Sequence, residues 1–362
     1  MTPVELSRTV LHAVRSAVDA GELSVAVPER TVVERPRPGG CGDYATGIAL
    51  QLARPAGRAP RQVAEVIRRR LLAGSDGIRA VDITGPGFLN ITLDGARHGR
   101  ELVRAVLAAG ERYGFVGAEP AAASRELRLV VPAEVRAVVV AEALVRVLES
   151  QGWTVSWDGP GANRVTAALA RTDGAYAAYD TGDAHGGHRD RTPHHVRPVP
   201  APSDPWVLGV DGGRWALLAV AGGDRPRIGA EHLVQREQNP LFRVRYAAAR
   251  TRALVRNAAE LGFGSDPEGP LPEEAAPLLA ALAGYPVALA AAARLRAPDR
   301  VARQSVAVAD AFLGFQAAVA VLPMGDEKPS AAHRARLALA EAAGTVLAGG
   351  LSLLGVDAPE TI

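Results

Sequence analysis

The chain has 362 residues, of which 48% are hydrophobic, and a formal net charge of +2. That length allows two or three domains with their own cores. The near-balanced charge excludes a protein that binds nucleic acid through its overall field, so any RNA affinity must come from local clusters. The lone Cys41 excludes an intramolecular disulfide and makes the cytoplasm the expected compartment. Of 41 basic residues only Lys328 is a lysine, a bias that accompanies abundant Ala, Gly and Pro and fits a GC-rich genome.

In chain order, the first residues (MTPVELSRTVLHAV) predict an amphipathic helix with Glu5 and Arg8, without the apolar core of a signal peptide. Pro60 to Leu72 predicts a helix with Val63, Val66, Ile67 and Leu71 on one face. AVDITGPGFLNITL alternates apolar and polar residues around Gly-Pro-Gly, as two paired strands do. Residues 1–115 therefore read as a small α+β domain. In residues 124–234, Leu127 to Val131 predicts a strand, Glu134 to Gln151 a helix and WTVSW (153–157) a second strand, a strand–helix–strand unit. The polar stretch 172–204 has no periodicity and reads as a long loop. Residues 235–362 are helical in pattern, with breaks near 264–272, 297–299 and 323–329, and predict a bundle of four or five helices. The apolar stretch Ala275 to Ala293 is broken by Pro277, Gly284 and Pro286. It makes a poor membrane span and reads as a pair of packed helices, so no membrane partner is expected. The fold class is multidomain α+β: a small α+β domain, an α/β middle and a C-terminal all-α bundle.

Two constellations suit RNA. Phe88 and Asn90 sit two apart on a strand and share a face, an aromatic plane beside an amide, fit for an unstacked base. The alternative is a core Phe88 with Asn90 in a turn. The segment Arg236 to Arg256 predicts a helix whose buried arc is Val244, Ala248, Leu254 and Val255. Arg243, Tyr246 and Arg250 share one flank; Arg245, Arg252 and Arg256 share the other. Guanidinium groups beside Tyr246 suit phosphate contact and base stacking, the alternative being solvated arginines whose stems cover the core. Phe312 and Phe315, i and i+3, read as core. His185, His188, His194 and His195, with Asp183 or Asp190, lack the cysteines and hydrophobic support of a metal site, and no metal is expected. No catalytic triad, phosphate-binding Gly-Lys-Ser/Thr loop or dinucleotide fingerprint occurs. Asp43 and Asp82 are isolated carboxylates.

Three segments carry a resemblance to arginyl-tRNA synthetases. GDYATGIALQLARPAGRAPRQVAEVI (42–67) with ITGPGFLNITL (83–93) resembles the family's N-terminal additional domain, which touches the tRNA D-loop. The resemblance places that contact on Phe88 and Asn90. GVDGGRWALL (209–218), leading to EQNPLFRVRYAAARTRALVRNA (237–258), resembles the entry to the helical anticodon-binding domain. The terminus, RARLALAEAAGTVLAGGLSLLGVDAPETI, resembles the family's closing helix. By this resemblance residues 124–234 are a shortened, degenerate Rossmann-like remnant of the class I catalytic core, and residues 235–362 the anticodon-binding domain.

The departures are specific. The His-x-Gly-His turn that holds ATP phosphates at a helix N-terminus has its counterpart in VVPAEVRAVVV, without a histidine. The Lys-Met-Ser-Lys-Ser loop is absent, since Lys328 falls in the helical region. Gly47, Ala248 and Gln316 also differ from the family wording. The expectation is a non-catalytic protein with no catalytic residues and no cofactor, ATP and Mg entering only if ligase activity remains. It would bind tRNA, arginine tRNA first, through Phe88, Asn90, Arg243, Arg245, Tyr246, Arg250 and Arg252, and not DNA. Two other readings stay open: a divergent ligase or other enzyme acting on aminoacyl-tRNA, and an interaction module partnering a full-length synthetase.

Overall fold

The computed structural model describes residues 3–34, 36, 41–75, 77–116, 125–159 and 193–359. They form two compact units, Met1–Arg104 and Ala105–Ile362. The predicted middle segment thus shares one unit with the C-terminal helices.

In the first unit, α1 (Pro3–Asp19), α2 (Ile48–Ala56) and α3 (Pro60–Gly74) pack around a three-stranded antiparallel sheet, β1 (Tyr44–Thr46), β2 (Ile78–Thr84) and β3 (Phe88–Leu93), ordered β1-β3-β2. Leu6, Val10 and Val14 of α1 and Val63, Ile67 and Leu71 of α3 are buried at helical spacing, and α1 packs on α3. Central β3 alternates, sending Leu89, Ile91 and Leu93 into this core. The Gly-Pro-Gly interruption is the β2–β3 hairpin loop, with Thr84 paired to Phe88. Gly87 is required there: its φ is +149°, and a Cβ would stand 3.0 Å from the Pro60 backbone. The isolated Asp43 is structural, its Oδ2 accepting from the Leu93 amide at 2.8 Å. Helix α4 (Gly95–Ala109) follows.

The second unit opens with the predicted strand–helix–strand. β4 (Arg125–Val130) and β5 (Trp153–Asp158) are parallel and joined by α5 (Val135–Glu149); β6 (His194–His195) pairs parallel to the other edge of β4. The order β5-β4-β6 puts β4 in the centre. A 3-10 turn, Pro205–Leu208, leads into α6 (Gly209–Leu218). Then come α7 (Pro240–Glu260), α8 (Ala276–Leu295), α9 (Asp299–Ala318) and α10 (Ala331–Leu354). Helix α10 packs on α7, α9 and α5 and is buried along most of its length. By length and apolar composition alone, the helices at Glu273–Leu295 and Ala331–Leu354 could cross a membrane.

The expected pair of helices over 275–293 is instead one helix, α8, that runs through Pro286. Proline removes one backbone hydrogen bond. Buried Leu278, Leu282, Tyr285 and Leu289 on one face hold the helix together across the gap. Arg296, the one non-glycine residue at positive φ among those described, ends it.

Helix α5 carries a charge that works against folding at high pH. Burial pushes the Glu149 carboxyl up to about 7, with Arg146 opposing the shift. The folded chain then keeps a proton that the unfolded chain releases in the ordinary carboxylate range. Stability therefore falls as pH rises from about 4.5 to about 7. Glu149→Gln is expected to stabilise the protein by about 2 kcal/mol at pH 8 and to leave it unchanged near pH 4.5. Urea unfolding at both pH values measures this, and an equal effect at both would contradict it.

Candidate nucleic-acid interface

The flank predicted on α7 lines a groove. Asn239 caps the helix, its Oδ1 accepting from the Leu241 amide at 3.0 Å, and Pro240 fills the first turn. The same side chain donates to the carbonyls of His232 (2.8 Å) and Val234 (3.0 Å), fixing the incoming segment. Leu241, Val244, Ala248 and Leu254 are buried, while Val255 is only half-buried. On the free side, α7 and α9 bound an open groove of about 670 Å³, lined by Phe242, Arg243, Tyr246, Arg250, Leu313 and Gln316 together with residues 235–238.

Tyr246 is 41% exposed and stacks on Phe242, with ring centroids 5.7 Å apart at 18°. Arg243 Nη1 lies 3.2 Å from Asp310 Oδ1. With the Gln316 amide oxygen turned toward it, Arg250 donates from Nε at 2.6 Å and Nη2 at 2.9 Å. An exposed aromatic plane between two guanidinium groups offers one stacking surface and two phosphate contacts. Phe312 and Phe315 point away from this groove into the core.

On the opposite flank, Arg245 and Arg252 have partners within the chain. Arg252 Nη1 donates to the carbonyls of Ala358 (2.6 Å) and Pro359 (2.7 Å). Arg245 pairs with Asp211 at 3.5 Å, and Asp211 also accepts from the Asp357 amide. Arg252 ties the C-terminal segment to the bundle directly and Arg245 through Asp211, so donors of both guanidinium groups are engaged within the molecule. A helical wheel cannot show this, because the acceptors, the Asp211 carboxylate and the carbonyls of residues 358 and 359, are brought to the helix by tertiary packing.

In the first unit Phe88 and Asn90 do share a face of β3. Phe88 is 43% exposed, and its ring lies beside Gly47 and Gly85. Asn90 is 5% exposed and donates from Nδ2 to Thr84 Oγ1 at 2.7 Å. The ring is open to stack on a base, whereas the amide is partly engaged within the sheet.

The end of central β4 is where an open α/β sheet ordinarily holds a ligand, and here the chain itself fills it. Glu134 caps α5, its carboxylate accepting from the amides of Arg136 (3.0 Å) and Ala137 (2.8 Å), with the Ala201 amide at 3.4 Å. A carboxylate on the positive end of a helix occupies the place a phosphate would take. Two residues on, Arg136 is fully buried. Its Nε donates to the Leu217 carbonyl at 3.1 Å, Nη1 to Val199 (2.6 Å) and Asp224 (2.7 Å), and Nη2 to Ala221 (3.0 Å) and Val220 (3.4 Å). Burial pushes this guanidinium pKa down, while Glu134, Asp224 and Asp299 counter it. Residues 199–224 are thereby clamped over the end of the sheet. ATP phosphates do not fit a helix end already capped by Glu134.

Sequence reasoning missed Glu134, Arg136, Phe242 and Asp310. The signal for Arg136 was present: a single arginine in VVPAEVRAVVV is a charge in a run too apolar to be a surface. Among the described residues no group of three or more His, Cys, Asp or Glu is placed to hold a metal. His194 and His195 form β6, and burial, with Arg296 and His195, lowers the His194 pKa. His185, His188, Asp183 and Asp190 lie outside the described residues.

A sheet-and-helix unit, a parallel strand–helix–strand and a bundle with an aromatic–arginine groove define a protein built like an aminoacyl-tRNA synthetase. The fold is similar to the solved arginyl-tRNA synthetase of Plasmodium falciparum, with a TM-score of 0.64 at 9% identity over 99% of each chain. It is likewise similar to the Thermus thermophilus enzyme, with a TM-score of 0.62 at 13% identity over the whole of both chains. The arginyl-tRNA synthetase N-terminal domain matches residues 5–93, and the DALR anticodon-binding domain matches residues 244–362. The arginine–tRNA ligase of Renibacterium salmoninarum is 30% identical, with 99% of this chain and all of that protein covered; that of Frankia alni is 28% identical over the same shares. The chain belongs to the arginyl-tRNA synthetase family. The Frankia alignment spans 554 positions against 362 residues here, so the relative carries long stretches that this chain lacks.

Proposed function

We propose that this chain is a non-catalytic member of its family that binds tRNA, arginine tRNA first, through Phe88 and the groove of Arg243, Tyr246 and Arg250. One contrast carries the reading: the helix end that would hold ATP phosphates is capped by Glu134, while the α7–α9 groove is open. In this reading residues 1–115 and 235–362 are the RNA-contacting parts and 124–234 a closed vestige of the catalytic core. It needs neither ATP nor Mg, and it works in the cytoplasm, as the lone exposed Cys41 suits.

Filter binding to arginine tRNA and to bulk tRNA, beside arginine-dependent ATP–pyrophosphate exchange, tests it. Salt-sensitive binding that prefers arginine tRNA, with no exchange above background, is the expected result. Exchange above background would favour the divergent ligase instead. A second reading, an interaction module for a full-length synthetase, draws on exposed Trp206, Val207, Val210, Leu233 and Val234. It predicts co-purification with that enzyme, abolished by Trp206→Ser with Val210→Ser.

A further inference from the structure

We infer that Asp310 is a built-in competitor for the RNA backbone, holding Arg243 in the free protein and giving it up to a phosphate when RNA enters the groove. This rests on the reading of the groove as an RNA site. The two groove arginines have partners of different kind, both supplied by α9. Arg250 is held by Gln316, a neutral amide that takes two donors of its fork. That contact orients the guanidinium and leaves its charge intact. Arg243 is held by a carboxylate, which cancels its charge.

The Arg243–Asp310 pair has the properties of a contact made to be exchanged. Both side chains are partly exposed, so the pair contributes little to stability and opens at little cost. Arg243 Nε is buried without a partner, so the guanidinium is held from one side only. A phosphate offers the same acceptor chemistry with more oxygens and can replace the carboxylate. On displacement Asp310 can rotate into solvent, where it is already half-exposed. The competition acts on a phosphate contact, so it lowers affinity evenly across RNA sequences without altering base preference. Glu237 lines the groove itself but makes no ion pair with these arginines among the described residues, which makes it the control for a general charge effect.

The test is a set of filter-binding titrations with an arginine tRNA transcript, using the full chain, Asp310→Asn, Arg243→Ala, the double variant and Glu237→Gln. Asp310→Asn is expected to bind about fivefold tighter, with a salt slope steeper by about one. The gain is expected to vanish when Arg243 is alanine. Glu237→Gln gives a smaller gain that does not depend on Arg243. If Asp310→Asn binds no tighter, or its gain survives intact in the Arg243→Ala background, the competitor role is overturned while the groove reading stands. If the unaltered chain binds no tRNA, the groove reading itself falls and this inference with it.

Discussion

Replacing Arg136 with methionine is expected to destabilise the unit 105–362 by about 4 kcal/mol, the scale of breaking a buried charged network from one side. Methionine fills a similar volume, so the loss is not a cavity effect. It comes from five backbone carbonyls, at 199, 217, 220, 221 and 224, left in a buried place without a donor. Swapping a whole ion network for apolar residues is often neutral, but the carbonyls here cannot be swapped. Lysine keeps the charge and offers three donors in place of a planar fork, so Arg136→Lys should recover part of the stability. All four tryptophans (Trp153, Trp157, Trp206 and Trp215) lie in this unit, so urea unfolding followed by tryptophan fluorescence reports on it directly. A variant within about 1 kcal/mol of the parent would mean that the clamp contributes no more than an ordinary hydrogen bond.

The clamp also shows where sequence reading stops. Periodicity found α3, the β2–β3 hairpin and β4–α5–β5, because local burial patterns set those elements. The same patterns misjudged α8, since proline marks a break only where no buried face spans it. For the site, the Arg243–Tyr246–Arg250 flank was legible because i, i+3 and i+7 converge on any helix. The engagement of Arg245 and Arg252 was not legible, because Asp211 and the C-terminal carbonyls reach this helix only in the folded chain. The closure at the end of β4 was half legible. The missing histidines are visible in the sequence, but only the folded chain shows Glu134 capping α5 and Arg136 holding residues 199–224.

That difference between the two flanks of α7 yields the second large effect. Tyr246→Ala and Arg250→Ala are each expected to weaken tRNA binding about tenfold to a hundredfold, the scale of losing one stacking surface or one guanidinium contact. Neither should shift the unfolding midpoint measurably, since Tyr246 is exposed and the Arg250–Gln316 contact lies at the surface of the groove. The salt dependence separates the two. Arg250→Ala lowers the slope by about one because a phosphate contact is gone, whereas Tyr246→Ala leaves the slope unchanged because stacking releases no counterion. Arg252→Ala should behave in the opposite way. It leaves the carbonyls of Ala358 and Pro359 without their donor and lowers stability by about 1–2 kcal/mol, with RNA affinity preserved under conditions where the chain is folded. Equal losses of RNA binding on both flanks would mean that the helix contributes only diffuse positive charge, and the groove would no longer be the site.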